Sequence, residues 1–591
     1  MRNLKLRILF NRTFIFFLAV FIFLPLFDSQ TTTQANSDEA KWVERTLKSL
    51  SLRERIGQMI VVSAVSEFAN TSGERFQEIQ KQIVENKVGG IIVSWGSVNE
   101  IAAMTNEFQR LAKIPLLISS DMERGLRMRS RNGTPFTTAM GVAATGDPNA
   151  AYTQGKIVAQ EMRAIGVNWL YAPVADINNN ADNPVINIRS FGEDPKRVAE
   201  FVAAFTRGAR DGGALSTAKH FPGHGDTATD SHIGLPTINA DRARLDLVEL
   251  APFRSAIAAG VDSIMVAHIA LPRVAGDEMP ATLSPKLSSE LLRRDLNFQG
   301  IIVTDALGMG AIVKGFPNGA AAVQAIKAGA DVALMPPDPK AAIDAIEAAV
   351  KNGDITEARI NESVRRLLKA KYKLGLAKQR FVDLAAVNRL VERPENVQQA
   401  TRITEMSMTV LRNKNQMLPL DIESANRTLF VVLAADDDVE EGRAFIPQIQ
   451  QRSNRAKIIR LDPRATADEY RVAIDEAMKA ENVIIAPFVK RAASKGTVAL
   501  PETQAHFVRR MIDLAKPVAV IAFGSPYLIR QFPNAPVYLV TYAIEENVQI
   551  AAARALFGET AIKGHLPVSI PNLFEHGAGL EVGVKKSTAA N

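Results

Sequence analysis

Ala218-Lys219-His220-Phe221-Pro222-Gly223-His224-Gly225-Asp226, closing at Asp230-Ser231-His232, is the stretch around which the rest of the chain is organised. Three of the seven histidines fall inside it, among glycines, a proline and aspartates. Immediately before it, Gly213-Ala214-Leu215-Ser216-Thr217 is a short apolar run of the kind that forms a buried strand. Pro222 and the glycines then forbid a helix and force a loop. A strand is therefore expected to end at Lys219-His220 and to empty into a polar loop bearing imidazoles. That is the profile of an active-site loop on a rigid scaffold. The competing reading is a surface loop that happens to hold histidines.

Working outward, eight short apolar runs recur from about residue 40: 58–65, 88–94, 115–120, 168–174, 215–220, 263–268, 300–304 and 331–335. Between them lie longer stretches with helical spacing, such as 76–86, 151–165, 197–211 and 320–328. Eight β-α units in roughly 300 residues are what a TIM-like (β/α)8 barrel needs. A doubly wound open sheet is the alternative, and the count of eight favours closure. Chemistry in a barrel sits at the C-terminal ends of the strands. Those ends here read Asp121-Met122-Glu123-Arg124, Asp176-Ile177-Asn178, Lys219-His220, His268 and Thr304-Asp305. Charges directly after buried strands are costly unless used or paired. Asp305, after Gly300-Ile301-Ile302-Val303, stands out most, although it also suits the N-cap of the next helix.

Composition narrows the function classes. The 591-residue chain, 47% hydrophobic, is long enough for more than one domain. With no cysteine, disulfides, thiolate metal sites and thiol nucleophiles are excluded. Of the net charge of +7, Arg2, Lys5, Arg7 and Arg12 against Asp28 account for +3 within the first 36 residues. No basic tract or zinc knuckle points to nucleic acid. Residues 1–36 resemble an export segment: basic residues up to Arg12, an apolar run 14–27, then polar residues to Asn36. The run is short for a stable membrane span, which favours a signal peptide over an uncleaved anchor. Either places the protein outside the cytoplasm, in periplasm or medium, with membrane contact only through such an anchor.

Several separately spaced motifs carry a family resemblance. They are Lys219–Asp226, Asp230-Ser231-His232, Asn183-Pro184-Val185-Ile186, Arg189-Ser190-Phe191-Gly192 and Val303-Thr304-Asp305-Ala306-Leu307. In this order, residues 42 to about 375 resemble the barrel of glycoside hydrolase family 3, in its β-N-acetylglucosaminidase branch. The resemblance implies Asp305 as nucleophile and His232 as general acid/base assisted by Asp230. It implies Asp121, Arg129, Arg189, Lys219 and His220 as sugar-binding residues. The chain departs from the family at Asp121-Met122-Glu123-Arg124-Gly125-Leu126, where the usual stretch is Asp-Gln-Glu-Gly-Gly-Arg. A retaining glycosidase needs a nucleophile on one face of the anomeric carbon and a proton donor near the leaving oxygen. An imidazole can be that donor because its pKa lies near neutrality, and a neighbouring carboxylate can orient it. His224, Asp226, Asp230 and His232 carry zinc-ligating atoms, but their loop spacing matches no helical two-histidine pattern. No metal and no cofactor is expected. His224 is expected to position the loop, and His268 to be either a pocket wall or a buried structural histidine.

A change of composition marks a second domain. The barrel is expected over 37–378, a charged linker over 379–400, and an α/β sandwich over 401–591. Within the last, a helix is expected over 397–412 and strands at 428–434, 482–487, 518–523 and 537–541. Gly564–Pro571 and the Leu-Pro-Leu at 418–420 resemble the family's C-terminal domain. That domain is expected to stabilise the barrel or shape its cleft. Three function classes remain at this point. One is an exported exo-β-N-acetylglucosaminidase acting on peptidoglycan fragments or chitin-derived sugars. The second is another family 3 activity, a β-glucosidase or a phosphorylase. The third is a non-catalytic glycan-binding protein. A carbohydrate is the partner in each.

Overall fold

The computed structural model describes residues 37–66, 70–317, 319–491 and 495–585; the leader read at 1–36 lies outside the described residues. All eight apolar runs form strands: β1 (Ile60–Val65), β2 (Gly90–Ser94), β3 (Leu117–Ser120), β4 (Trp169–Leu170), β5 (Leu215–Phe221), β6 (Ser263–Val266), β7 (Ile301–Thr304) and β8 (Ala333–Leu334). They are parallel, in the spatial order β7-β6-β5-β4-β3-β2-β1-β8. The remaining seam is stitched by the bridge Val303↔Val332 and by Leu334 N donating to Thr304 Oγ1 at 2.9 Å. The sheet is thus a nearly closed barrel, with β2 to β7 buried almost throughout. Burial on both faces is why these strands read as continuous apolar runs. β4 is shorter than its run because Pro173 offers no N–H to the ladder; beyond it only Val174 bridges to Lys219.

Around the barrel, α1 (Pro148–Ala164) and α2 (Pro195–Asp211) begin alike. Asp147 and Asp194 cap them, accepting from Asn149 N at 2.9 Å and Arg197 N at 2.7 Å, with proline at the first helical position. The two helices approach so closely that a Cβ on Gly155 would lie 2.4 Å from Phe205 O, and one on Gly208 2.1 Å from Tyr152 O. The place of the sixth barrel helix is taken by a ten-residue π-helix, Lys286–Asp295. α3 (Glu357–Lys373) closes the barrel region.

Residues 379–400 carry a short helix, Leu384–Leu390, and the start of α4 (Pro394–Ser407). The helix expected over 397–412 stops at Ser407. Thr409–Asn413 instead forms β9, because Val410 and Leu411 are buried on opposite faces of a sheet. That sheet adds β10 (Thr428–Ala434), β11 (Lys457–Leu461), β12 (Asn482–Phe488), β13 (Val518–Ala522) and β14 (Val537–Val540). Its order is β11-β10-β12-β13-β14-β9, parallel except for β9. β11 went unread in the sequence; it is a half-exposed edge strand whose Lys457 and Arg460 mask the apolar pattern. α5 (Glu546–Leu556) packs on α4 and under the sheet.

The two units share an interface. Met140, Ala144 and Ile188 of the barrel join one apolar core of the second sheet. Asn178 Nδ2 donates to Tyr527 OH at 2.9 Å, and Glu193 N to Pro567 O at 3.1 Å. Ion pairs Arg124–Glu545 at 2.7 Å and Arg127–Glu546 at 3.2 Å also join the two units.

Candidate active site

The strand ends converge on one cleft, lined among others by Asp121, Glu123, Arg129, Arg189, Lys219, His220, His232 and Asp305, with an empty volume of about 730 Å³ that includes its open mouth. Every sugar-binding candidate named from the sequence lines this cleft, as do Asp305 and His232; Asp230 stands behind His232.

The floor is a charge network. Lys219, only 2% exposed, reaches from β5 to Asp121 Oδ1 at 2.7 Å and Glu123 Oε1 at 2.9 Å. Glu123 also accepts two bonds from Arg189, at 2.7 Å from Nη2 and 3.0 Å from Nε. This fork-to-fork pairing fixes the guanidinium plane. Burial would raise the Glu123 carboxyl, but the Arg189 and Lys219 charges hold it well below the usual range. Burial likewise opposes the charge on Lys219, and Asp121 and Glu123 outweigh it, so the ammonium persists. Arg129 joins more loosely, 3.6 Å from Asp121 Oδ2.

Asp176, wholly buried after the β4 extension, organises the histidine loop. It accepts from His220 N at 3.1 Å, meets His220 Nδ1 at 2.7 Å and accepts from His224 N at 2.7 Å. With Nδ1 held by a carboxylate, His220 turns Nε2 towards the cleft, 3.4 Å from Arg189 Nη2. The next turn packs against the barrel so tightly that a Cβ on Gly225 would lie 1.5 Å from Ile177 O. Asn183 seals the same turn by donating to His224 O and Gly225 O, both at 2.9 Å. His224 is buried and pairs with Thr227 Oγ1 at 2.8 Å and Ser231 Oγ at 3.0 Å; burial pushes its pKa down to about 4. It is a neutral brace for the loop. Asp226 is likewise committed, to Arg244 at 2.5 Å. Among the described residues no group of three or more His, Asp or Glu side chains is arranged to hold a metal.

The loop delivers His232 to the rim with its side chain one-third exposed, while Asp230 beside it is 3% exposed. Asp230 Oδ1 accepts from His232 N at 2.9 Å and meets His232 Nδ1 at 2.7 Å. That contact fixes the ring and leaves Nε2 free to exchange a proton.

Asp305 stands at the end of β7, its N–H bonded to Val266 O at 2.9 Å and its Oδ1 accepting from Ala306 N at 2.7 Å. Burial would raise its pKa, but His268, His220, the Ala306 N–H and Lys219 outweigh it and hold it at about 2. Burial in turn pushes the His268 pKa down. His268 bonds Thr282 Oγ1 at 2.8 Å and Ala306 O at 2.9 Å, which makes it a buried support beneath the Asp305 peptide. An ionised carboxylate at the bottom of a cleft and an oriented imidazole at its rim suit nucleophilic attack with proton transfer.

Three contributors carry no assigned role in the sequence reading. Glu123 and Asp176 sit at strand ends, where a charge is itself the signal, but their partners become visible only in three dimensions. Arg491 comes from the second sheet, just beyond β12, and lines the cleft as well.

Comparisons with known proteins agree with this geometry. Residues 51–370 match the glycosyl hydrolase family 3 N-terminal domain, and 408–586 the glycosyl hydrolase family 3 C-terminal domain. The "Beta-hexosaminidase A" of Pseudoalteromonas piscicida is 29% identical over 554 residues, covering 83% of this chain and 91% of the relative. A solved family 3 β-N-acetylglucosaminidase from Paenibacillus sp. str. FPU-7 superposes with a TM-score of 0.79 at 33% identity, covering 88% of this chain and 99% of the other. A solved β-glucoside phosphorylase, BglX, gives 0.81 at 26% identity over 90% and 96%. With both domain types matched in order across a nearly closed barrel and its companion sheet, the chain belongs to glycoside hydrolase family 3.

Proposed function

We propose that the protein is a retaining exo-glycosidase that removes terminal β-linked N-acetylglucosamine from peptidoglycan fragments or chitooligosaccharides. The observation that carries this reading is the pairing of His232 Nδ1 with Asp230 Oδ1 at 2.7 Å, in a loop that opens onto the Asp305 cleft. The names of the relatives support the choice of sugar. In the proposed mechanism, Asp121, Arg129, Arg189, Lys219 and His220 hold the sugar hydroxyls. The Asp305 carboxylate attacks C1 as His232 Nε2 gives its proton to the leaving oxygen, forming a glycosyl ester. Water then loses a proton to His232, attacks C1 and releases Asp305. With a pKa near 2, Asp305 is ionised across the working range, so its protonation does not shape the acid limb of the rate profile. Export, supported by the composition of residues 1–36, belongs to the same reading.

The test compares p-nitrophenyl β-N-acetylglucosaminide with the β-glucoside, using wild type and Asp305→Asn. The N-acetyl sugar should be preferred, and turnover by Asp305→Asn should be lost. Full activity in Asp305→Asn would refute the assignment. A second reading, phosphorolysis, is favoured by the likeness to the β-glucoside phosphorylase. Its mark is phosphate-dependent release of a sugar 1-phosphate.

A further inference from the structure

In the second sheet, β11-β10-β12-β13-β14 follows the doubly wound order 2-1-3-4-5. Ligands of such sheets bind beyond the carboxyl ends of the strands, where the chain direction switches, here between β10 and β12. Just beyond the carboxyl end of β12, Arg491 reaches the lining of the barrel's cleft. Two nearby lysines reach acidic residues just after β10. Lys490 Nζ meets Asp438 Oδ2 at 3.0 Å, and Lys495 Nζ meets Asp436 Oδ1 at 2.8 Å. The cleft therefore has a cation that the barrel does not supply.

What distinguishes Arg491 is the state of its charge. Arg189 is matched by Glu123 and Arg124 by Glu545, each at 2.7 Å. Arg491 forms an ion pair with none of the described carboxylates. Burial first, then the charge of Arg189 and to a smaller extent Arg124, pushes its pKa down to about 9 against the opposing pull of Glu123 and Asp230. A half-buried guanidinium held near two others is relieved when an anion enters, and its planar fork suits carboxylate or phosphate oxygens. Asp230 belongs to the dyad expected to serve the leaving group, so the anion would approach on that side.

We infer that Arg491 is a specificity-determining residue, lent by the C-terminal domain to the barrel, that binds an oxyanion: a carboxylate on the aglycone or inorganic phosphate as acceptor. This rests on the glycosidase reading above. In the phosphate case, a phosphate oxygen replaces water in attacking C1 of the glycosyl ester, displaces the Asp305 carboxylate and leaves as the sugar 1-phosphate.

The test uses the purified full chain and two near-isosteric substrates, 4-carboxyphenyl and 4-carbamoylphenyl β-N-acetylglucosaminide, at fixed ionic strength. Wild type should favour the carboxylate by about 10-fold or more in kcat/KM, as expected of a charge-assisted pair. Arg491→Ala and Arg491→Gln should abolish the preference through KM, with kcat within about 3-fold, and Arg491→Lys should restore part of it. If phosphate is the anion instead, wild type should release sugar 1-phosphate, and Arg491→Ala should lose that product while still hydrolysing. Equal losses on both aryl glycosides, or a wild type with neither carboxylate preference nor phosphate dependence, would overturn the inference. If wild type ignores the N-acetyl sugar but cleaves glucosides, the sugar assignment has failed on its own, and the same aryl pair made on glucose carries the test of Arg491.

Discussion

Lys371, on the inner face of α3, is 0% exposed, and its Nζ has Gln58 Oε1 as a hydrogen-bond partner at 2.6 Å. Burial, reinforced by Arg380, pushes its pKa from 10.5 to about 7. Because the folded value lies below the unfolded one, the unfolded chain holds the extra proton between them. Stability is therefore greatest above pH ~10.5 and is lost as pH falls towards 7. The depression amounts to a penalty of about 5 kcal/mol at pH 6, about 2 kcal/mol at pH 9 and under ~0.5 kcal/mol at pH 10.5. Lys371→Met fills similar volume without charge but leaves Gln58 Oε1 unpaired, costing about 1–3 kcal/mol at every pH. The variant should thus be more stable than wild type at pH 6, by about 2–4 kcal/mol, and less stable at pH 10.5. The two stability curves should cross between pH ~8 and ~10. Urea unfolding of the barrel transition at pH 6, 8, 9 and 10.5 measures this directly. A constant difference between variant and wild type at all four pH values would refute the argument, because it would mean that Lys371 does not change its protonation on folding.

Two further predictions concern other groups. Glu441 is 1% exposed, and neither carboxylate oxygen has a hydrogen-bond partner; burial, with Asp436 and Asp438, pushes its pKa up to about 8. Its folded value is raised, so wild type loses stability as pH rises from about 4.5 to 8, and Glu441→Gln should gain ~1–3 kcal/mol at pH 9 but little at pH 4.5 in thermal unfolding. His232→Ala should slow glycosides with poor leaving groups by ~100-fold or more and p-nitrophenyl glycosides far less, since an activated leaving group needs no proton. A leaving-group series with equal loss throughout would remove His232 from the acid role.

How much of this was legible in the sequence depends on how local each signal is. Ile301-Ile302-Val303 followed by Thr304-Asp305 announces a buried strand and its charged end within a few residues, because full burial demands an unbroken apolar run and a charge at its end needs a reason. Lys219 to His232 was similarly readable, since Pro222 and the glycines exclude a helix whatever lies around them. β9 was not: 397–412 has helix-like spacing throughout, and only pairing with β14 decides that the chain extends after Ser407. β11 was hidden by the polarity proper to an edge strand.

The sequence by itself determined the eight-stranded count, the order of the units and the chemical types at the strand ends, because periodicity and turn residues act over a few positions. Tertiary structure alone decided which charges meet. Glu123 is joined to Arg189 and Lys219 across 66 and 96 positions, and nothing along the chain signals that one carboxylate serves both cations. Arg491 lies farther still, just beyond a strand of the other sheet, and lines the cleft only because the two units pack together. Short-range patterns set local conformation; burial and charge pairing are settled by distances in space, and those exist only once the two units have packed.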